Sequence, residues 1–248
     1  MTFIKRLVLT ILIVFILPTL VSAGLWVTRE HPQNWSAARW SSSGLLKAAA
    51  DDDEAAIYVF SARTGGLKGS VASHAWIVTK EKGGGEYQRY DKVGWGSPIR
   101  RNHRPADAFW YSNQPTIVAA VSGATAERLI PKVEAAIASY PFSKPGDYQI
   151  YPGPNSNTFV AHVLREVPEL GAVLPPDAVG RDFITDGGLV SVAADGRDLH
   201  VSWRGLIGLA LGVRSGFEVH FLGLVAGLDF RHPAIKLPGI GRIGFTDA

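Results

Sequence analysis

The stretch Ser73-His74-Ala75-Trp76-Ile77-Val78-Thr79 decides the fold. Its apolar part, residues 75–79, is short and rich in β-branched and aromatic side chains, and three glycines follow at residues 83–85. This pattern predicts a buried strand and a turn. Residues 87–93 alternate in the manner of the next strand, so the two runs predict an antiparallel hairpin or meander. The apolar run at residues 57–60 predicts a further strand on the N-terminal side.

Two helices are predicted after a strand at residues 117–121. Apolar residues recur at helical spacing from Ala124 to Ile137, and Pro131 inside this pattern predicts a kink or a restart. The segment Tyr151-Pro152-Gly153-Pro154-Asn155-Ser156-Asn157 has the composition of a turn. Its Asn and Ser residues are good N-caps, so we expect a second helix over residues 158–165.

The C-terminal part, residues 175–248, is richer in glycine and proline and predicts additional strands. Leu199, Val201 and Trp203 alternate with polar residues in the manner of a strand. The apolar run from Gly205 to Val213 is too short to cross a bilayer as a helix. It predicts buried strands, and contact with a membrane surface is the alternative.

The N-terminus has the layout of a secretory signal. Lys5 and Arg6 precede an apolar run, and the small residues Val21-Ser22-Ala23 suit signal peptidase. Residues 1–23 are therefore predicted to be a cleaved signal. The 17 residues from Leu7 to Ala23 would also span about 26 Å as a helix, so a retained membrane anchor is the alternative. Both interpretations predict export, either to the periplasm or to an anchored position on the outer side of the cytoplasmic membrane.

Composition limits the remaining possibilities. The chain has 248 residues, no cysteine and a net charge of +3, which removal of Lys5 and Arg6 would lower to +1. The absence of a Lys/Arg cluster argues against nucleic acid as a partner. The histidines show no metal-site spacing, and we expect no cofactor. We predict a neck over residues 24–54, a core over residues 55–174, and a β-rich extension of the same domain over residues 175–248.

His74 and Ser156 are the candidate catalytic residues. A serine hydroxyl becomes a nucleophile when a positioned histidine removes its proton, and the N-terminus of a helix can hold an oxyanion. Asp91 lies on the following strand and could orient the imidazole ring. Asn155 or Asn157 could add an amide donor. The alternatives are structural: Ser156 as an N-cap, His74 as a hydrogen-bonded core residue, and Asp91 as a surface residue of a strand.

The order of these motifs resembles that of the circularly permuted papain-like families, which include the permuted NlpC/P60 proteins and the lecithin retinol acyltransferase-like proteins. There a strand histidine precedes an Asn-Cys-x-x-Phe-Val type motif that opens a helix, and here Ser156 stands at the cysteine position. Longer phrases, among them Trp110-Tyr111-Ser112-Asn113-Gln114-Pro115, resemble a bacterial envelope family known as domain of unknown function 3750 over residues 55–245.

These resemblances imply an α+β fold, in which an antiparallel sheet packs with helices in permuted papain-like order. The implied function is an envelope hydrolase or acyl-transfer enzyme that acts on an amide or ester. The alternatives are a structural envelope protein and a module that binds cell-wall peptide or lipid without cleaving it. The site residues for such binding would be Trp76, Trp95, Trp110, Tyr111, Asn113 and Asn157.

Overall fold

The computed structural model describes residues 2–244 of the chain. These residues form two antiparallel sheets, of five and seven strands, and three helices besides short 3₁₀ turns. The α+β class is therefore confirmed. The five-stranded sheet has the order β4-β3-β2-β1-β5, and its strands are β1 (Ala56–Arg63), β2 (Ser73–Lys80), β3 (Gln88–Lys92), β4 (Ile99–Arg101) and β5 (Thr116–Ser122).

The two apolar runs predicted as strands lie at the centre of this sheet. β1 and β2 pair antiparallel with Val59 opposite Ile77. Both strands are buried on both faces, because one face packs against two helices and the other packs against a cluster of aromatic rings. This two-sided burial explains why residues 57–60 and 75–79 are continuously apolar.

The two helices on this sheet are Gly123–Ala138 and Ser156–Glu166. The first continues through Pro131 and does not restart there, since Pro131 lies on its exposed side. The second, named here the site helix, begins two residues earlier than the sequence predicts. Asn155 is its N-cap, and Asn155 and Thr158 form a reciprocal capping box.

The third helix is N-terminal, at Phe3–Val27, and is long and apolar enough to cross a membrane. It continues through residues 21–23, where the sequence predicts signal cleavage. Its C-terminal half packs on the rest of the protein. The Trp26 indole is buried and donates a hydrogen bond to the Gly66 carbonyl over 3.1 Å.

The seven-stranded sheet is a meander in which each strand pairs with its neighbours in the chain. Strands therefore cover residues 190–244 of the predicted β-rich extension, and residues 245–248 lie outside the described part. The strands are β6 (Val190–Val192), β7 (Asp198–Trp203), β8 (Ile207–Gly212), β9 (Gly216–Phe221), β10 (Leu224–Asp229), β11 (Ala234–Leu237) and β12 (Gly241–Gly244).

The prediction of buried strands for residues 205–213 is wrong about burial. β8 is a strand, but Ile207, Leu209 and Leu211 are exposed. The inner face of the meander instead carries buried polar groups that pair with one another. Glu218 accepts from Lys236 over 2.5 Å and also contacts Arg181. Because charged pairs occupy the inner face, the alternating apolar residues lie on the outer face.

Candidate functional site

A cavity of about 330 Å³ lies between the start of β2, the start of the site helix and the β9–β10 turn. His74, Ser156 and Asn157 all line it. The Asn157 side-chain amide donates to the Ser73 carbonyl over 2.8 Å, and this bond fastens the first turn of the site helix to β2. His74 follows Ser73 in the chain, and Ser156 precedes Asn157. The bond therefore ties together the two segments that carry His74 and Ser156. The structure thus brings the two predicted catalytic residues to one cavity.

His74 is held in place on two sides. Its ring stacks on the Trp110 indole, with centroids 3.7 Å apart and an interplanar angle of 5°. Its Nε2 atom lies 2.9 Å from Asp91 Oδ1. Nδ1 is therefore the ring nitrogen left to act as a base. Burial lowers the pKa of His74, and the bond to Asp91 opposes this only in part. The imidazole is thus neutral at pH 7.

Asp91 is held as a carboxylate by Arg89, a residue that sequence reasoning missed. The Arg89 guanidinium donates to both Asp91 oxygens, over 2.6 and 2.9 Å. Burial by itself would raise the pKa of Asp91, but Arg89 and His74 together hold it well below its usual range. Arg89 lies over the Trp76 ring at 4.1 Å and donates to the Pro105 carbonyl over 2.8 Å. An ionised Asp91 fixes the proton of His74 on Nε2.

Asn155 and Asn157 use their amide groups for structure. The Asn155 amide nitrogen donates to the carbonyls of Ile150 and Val179, each over 3.0 Å, and its oxygen caps the site helix. Asn155 therefore has no amide hydrogen left for an oxyanion. The Asn157 amide nitrogen is likewise engaged, by Ser73 and Val179. Its Oδ1 atom is buried and has no hydrogen-bond partner among the described residues.

Tyr148 is a second residue of the site that the sequence did not indicate. It lines the cavity, and its hydroxyl interacts electrostatically with the hydroxyl and the backbone amide of Ser156. Burial raises the pKa of Tyr148, and its interaction with Ser156 offsets part of that rise. The phenol is therefore protonated at neutral pH and lies where it can donate to a group bound at Ser156. Tyr148 lies in an irregular segment, so no periodic signal could have pointed to it.

Ser156 is buried at the first position of the site helix. Among residues 2–244, the hydrogen bonds of the structure do not include a direct one between Ser156 and His74. Catalytic hydrogen bonds are often long before a substrate binds. Within the same part of the chain, no group of three or more His, Cys, Asp or Glu side chains could hold a metal ion.

The predicted aromatic wall divides into two parts. Trp95, Trp110 and Tyr111 line the cavity, and Trp95 is 51% exposed. Trp76 does not reach the cavity, because it is fully buried between Phe60 and Arg89 and donates its indole proton to Ala106. Its role here is to support Arg89.

Asn113 also lies away from the cavity. Its amide nitrogen donates to the carbonyls of Arg63 and Trp110, over 3.0 and 3.1 Å. These bonds hold the turn that carries Trp110 and Tyr111, so Asn113 acts on the site through their positions. The β9–β10 turn and the start of β10 add two apolar residues that sequence reasoning missed, Leu222 and Leu224.

Fold and site together define an α+β protein with a neutral histidine and a serine at one cavity. The chain belongs to the family described as a protein of unknown function (DUF3750), whose sequence pattern matches residues 54–183. That range begins two residues before β1 and ends before the meander. No curated protein and no solved structure matches the chain.

Proposed function

We propose that this protein is a serine-dependent hydrolase or acyl-transfer enzyme that acts on an amide or ester. The observation that carries the proposal is the buried Arg89–Asp91–His74 chain of hydrogen bonds, which ends at the cavity that Ser156 lines. A purely structural histidine would not need a carboxylate and a guanidinium behind it, since burying charged groups is costly.

In the proposed reaction, Ser156 Oγ attacks the carbonyl carbon while His74 Nδ1 takes its proton. The Ser156 backbone amide and the Tyr148 hydroxyl donate to the oxyanion. His74 then gives the proton to the leaving group, and water or an acceptor alcohol releases the acyl group by the same steps in reverse. Asp91 stays ionised throughout and stabilises the imidazolium that forms.

Three features support a permuted papain-like arrangement as part of this proposal. A strand carries the histidine, the next strand carries its carboxylate, and a later helix begins at the nucleophile position. Serine in place of cysteine changes the chemistry, because the hydroxyl proton must leave during the attack itself. Alignment of Ser156 with His74 is therefore more critical here than for a thiolate.

The test is covalent labelling of the full chain in detergent with a fluorophosphonate probe. We expect labelling of the native protein and its loss in Ser156→Ala and in His74→Gln. Ser73→Ala is the matched control, because Ser73 lines the same cavity and its hydroxyl has no hydrogen-bond partner. Absence of labelling in folded native protein, or labelling that survives Ser156→Ala, would contradict the proposal.

A second candidate is a module that binds cell-wall peptide or a lipid chain in the same cavity without cleaving it. The missing Ser156–His74 hydrogen bond and the half-exposed Trp95 ring at the cavity favour it. On this alternative, Ser156→Ala would leave ligand affinity nearly unchanged. Trp95→Ala would weaken binding at least about fivefold, since an aromatic wall residue contributes more than about 1 kcal/mol.

Exposure on the outer side of the cytoplasmic membrane is part of the proposal, and we favour a retained anchor over cleavage. The helix continues through residues 21–23, and Ser22 Oγ donates a shared hydrogen bond to the carbonyls of Ser70 (2.5 Å) and Gly239 (2.8 Å). Signal peptidase needs an accessible, unwound segment, and this one is helical and packed on the protein.

A further inference from the structure

The outer face of the seven-stranded meander is apolar along every described strand. Registered pairs such as Leu199 with Leu211, Leu209 with Val219, and Leu228 with Ile235 place these side chains side by side. The strand residues on this outer face are Val190, Val192, Leu199, Val201, Trp203, Ile207, Leu209, Leu211, Phe217, Val219, Phe221, Leu224, Ala226, Leu228, Ile235, Leu237, Gly241 and Ile243.

The area of this face exceeds what soluble monomers expose. Twelve of its large side chains are between 38% and 55% exposed. Their exposed fractions correspond to roughly 1,000 Å² of apolar surface, against about 300–600 Å² for the largest patch on a typical monomer. Polar and charged residues occupy the buried side of the same strands, so the usual polarity of a one-sided sheet is reversed.

The N-terminal helix is continuous with this face. The Phe15 ring packs against Phe221 with centroids 5.6 Å apart, and Ser22 is bonded to the β11–β12 turn at Gly239. The helix is the segment that can enter a membrane. Any membrane that receives the helix therefore meets the outer face beside it.

The distance from Arg6 to Phe15 along the N-terminal helix determines how deep Phe15 lies in a membrane. Arg6 and Phe15 are nine residues apart, which is about 14 Å along a helix, whereas a bilayer core is about 30 Å thick. If Arg6 reaches the headgroups on one side, Phe15 lies near the middle of the bilayer. Phe221, which contacts Phe15, then also lies within hydrocarbon. The helix cannot cross while the outer face stays in water.

We propose that the outer face of the meander inserts into the hydrocarbon of one membrane leaflet, beside the N-terminal helix. β6 and β12 are edge strands with unpaired backbone groups, which hydrocarbon does not tolerate. The outer side chains therefore lie in the acyl region, and the two edge strands are directed towards the headgroups. The protein is thus attached by a helix and a sheet face together, independently of any activity at Ser156.

The absence of cysteine makes this proposal testable in the full chain. Leu209→Cys places one thiol on the outer face, and Ile117→Cys on β5 is the matched control, because each native side chain is 41% exposed. Each variant is labelled with an environment-sensitive fluorophore and reconstituted into vesicles of phosphatidylethanolamine and phosphatidylglycerol. Brominated acyl chains report contact with hydrocarbon, and iodide reports contact with water.

We expect brominated lipid to quench the probe at 209 several-fold more than the probe at 117, and iodide to do the reverse. Val219→Cys repeats the measurement if Leu209→Cys does not fold. Iodide quenching at 209 without bromine quenching would overturn the proposal. Protection from both quenchers together with cross-linking between copies would overturn it too, because the outer face would then be a dimer interface.

Discussion

At the scale of single residues, the site depends on lowered pKa values in two neighbouring side chains, His74 and Asp91. Burial keeps His74 neutral, while Arg89 keeps Asp91 ionised in spite of burial. A neutral imidazole beside a fixed carboxylate is the state that a general base requires. In the proposed reaction, proton transfer from Ser156 would therefore need no prior change in the protonation of His74 or Asp91.

A pH dependence follows from the lowered pKa of His74. The base is active when neutral, so the rate of fluorophosphonate labelling falls only as pH drops through this lowered value. We expect the midpoint of the acid limb below 6.5, the ordinary histidine pKa. The measurement is the labelling rate of the full chain across acidic and neutral pH. A midpoint above 6.5 would show that protonated His74 is stabilised by Asp91 more than burial destabilises it.

Removal of the Asp91 charge should be costly for stability. Asp91→Asn leaves the Arg89 guanidinium buried without its carboxylate, and breaking a buried pair in this way costs about 3–5 kcal/mol. Urea unfolding in detergent measures the change. Glu127→Gln is the control, because its ion pair with Lys82 is exposed and is worth about 0–1 kcal/mol. Equal effects of the two substitutions would mean that Asp91 is not a stabilising partner of Arg89.

His74, Asp91 and Ser156 could be selected as candidates from the sequence, because each lies at a recognisable place in a strand or turn. It could not indicate Tyr148, which reaches Ser156 from an irregular segment. Trp76 and Asn113 were expected at the binding site but lie away from the cavity. Sequence pattern gives the face of a strand, whereas the neighbours of a large side chain depend on long-range packing.

At the scale of elements, the start of the site helix determines how Ser156 is presented. Asn155 caps the helix and also bonds two carbonyls in the segments that flank the cavity. Gly180 lies against this side chain with φ +95°, and a Cβ atom there would be 2.2 Å from the Asn155 amide nitrogen. The cap therefore depends on a glycine that is distant in sequence.

Asn155→Ala tests this cap. It removes the helix N-cap, worth about 0.5–2 kcal/mol, and takes the Asn155 donor from the Ile150 carbonyl, which adds about 1–3 kcal/mol, while Val179 still accepts from Asn157. Ser122→Ala is a matched control, because Ser122 is the N-cap of Gly123–Ala138 but its side chain makes no capping bond. Thermal unfolding of both variants should show a large loss only for Asn155→Ala. A similar loss in both would contradict the assignment.

The sequence predicted helices and strands correctly where the apolar pattern of a segment agrees with its burial in the structure. The central strands and both helices on the five-stranded sheet follow from apolar runs and capping residues. In the meander, the alternation of β7 and the apolar run of β8 predicted strands, but the direction of burial came out reversed. The periodicity of a strand identifies its two faces but does not say which of them meets solvent. Here the charged face is internal, because Glu218 forms ion pairs with Arg181 and Lys236.

At the scale of the whole molecule, the cavity and the proposed membrane face share one end of the meander. Leu224 belongs to the outer face and lines the cavity, and Leu222 lies in the adjoining turn. The N-terminal helix packs at the same end through Ser22 and Trp26. The N-terminal helix, the proposed membrane face and the candidate site are thus parts of one continuous surface.

Retention of the N-terminal helix is the prediction that this arrangement makes for the mature protein. Residues 21–23 are helical, and Ser22 and Trp26 are bonded to the folded domain, so the site that suits signal peptidase is not accessible. Intact-mass measurement of protein extracted from membranes should therefore give the uncleaved chain. As a comparison, Trp26→Ala together with Ser22→Ala removes both attachments, and we expect cleavage after Ala23 to increase. A native mass that lacks residues 1–23 would show that the helix is a signal, and the outer face would then lose its contact with Phe15.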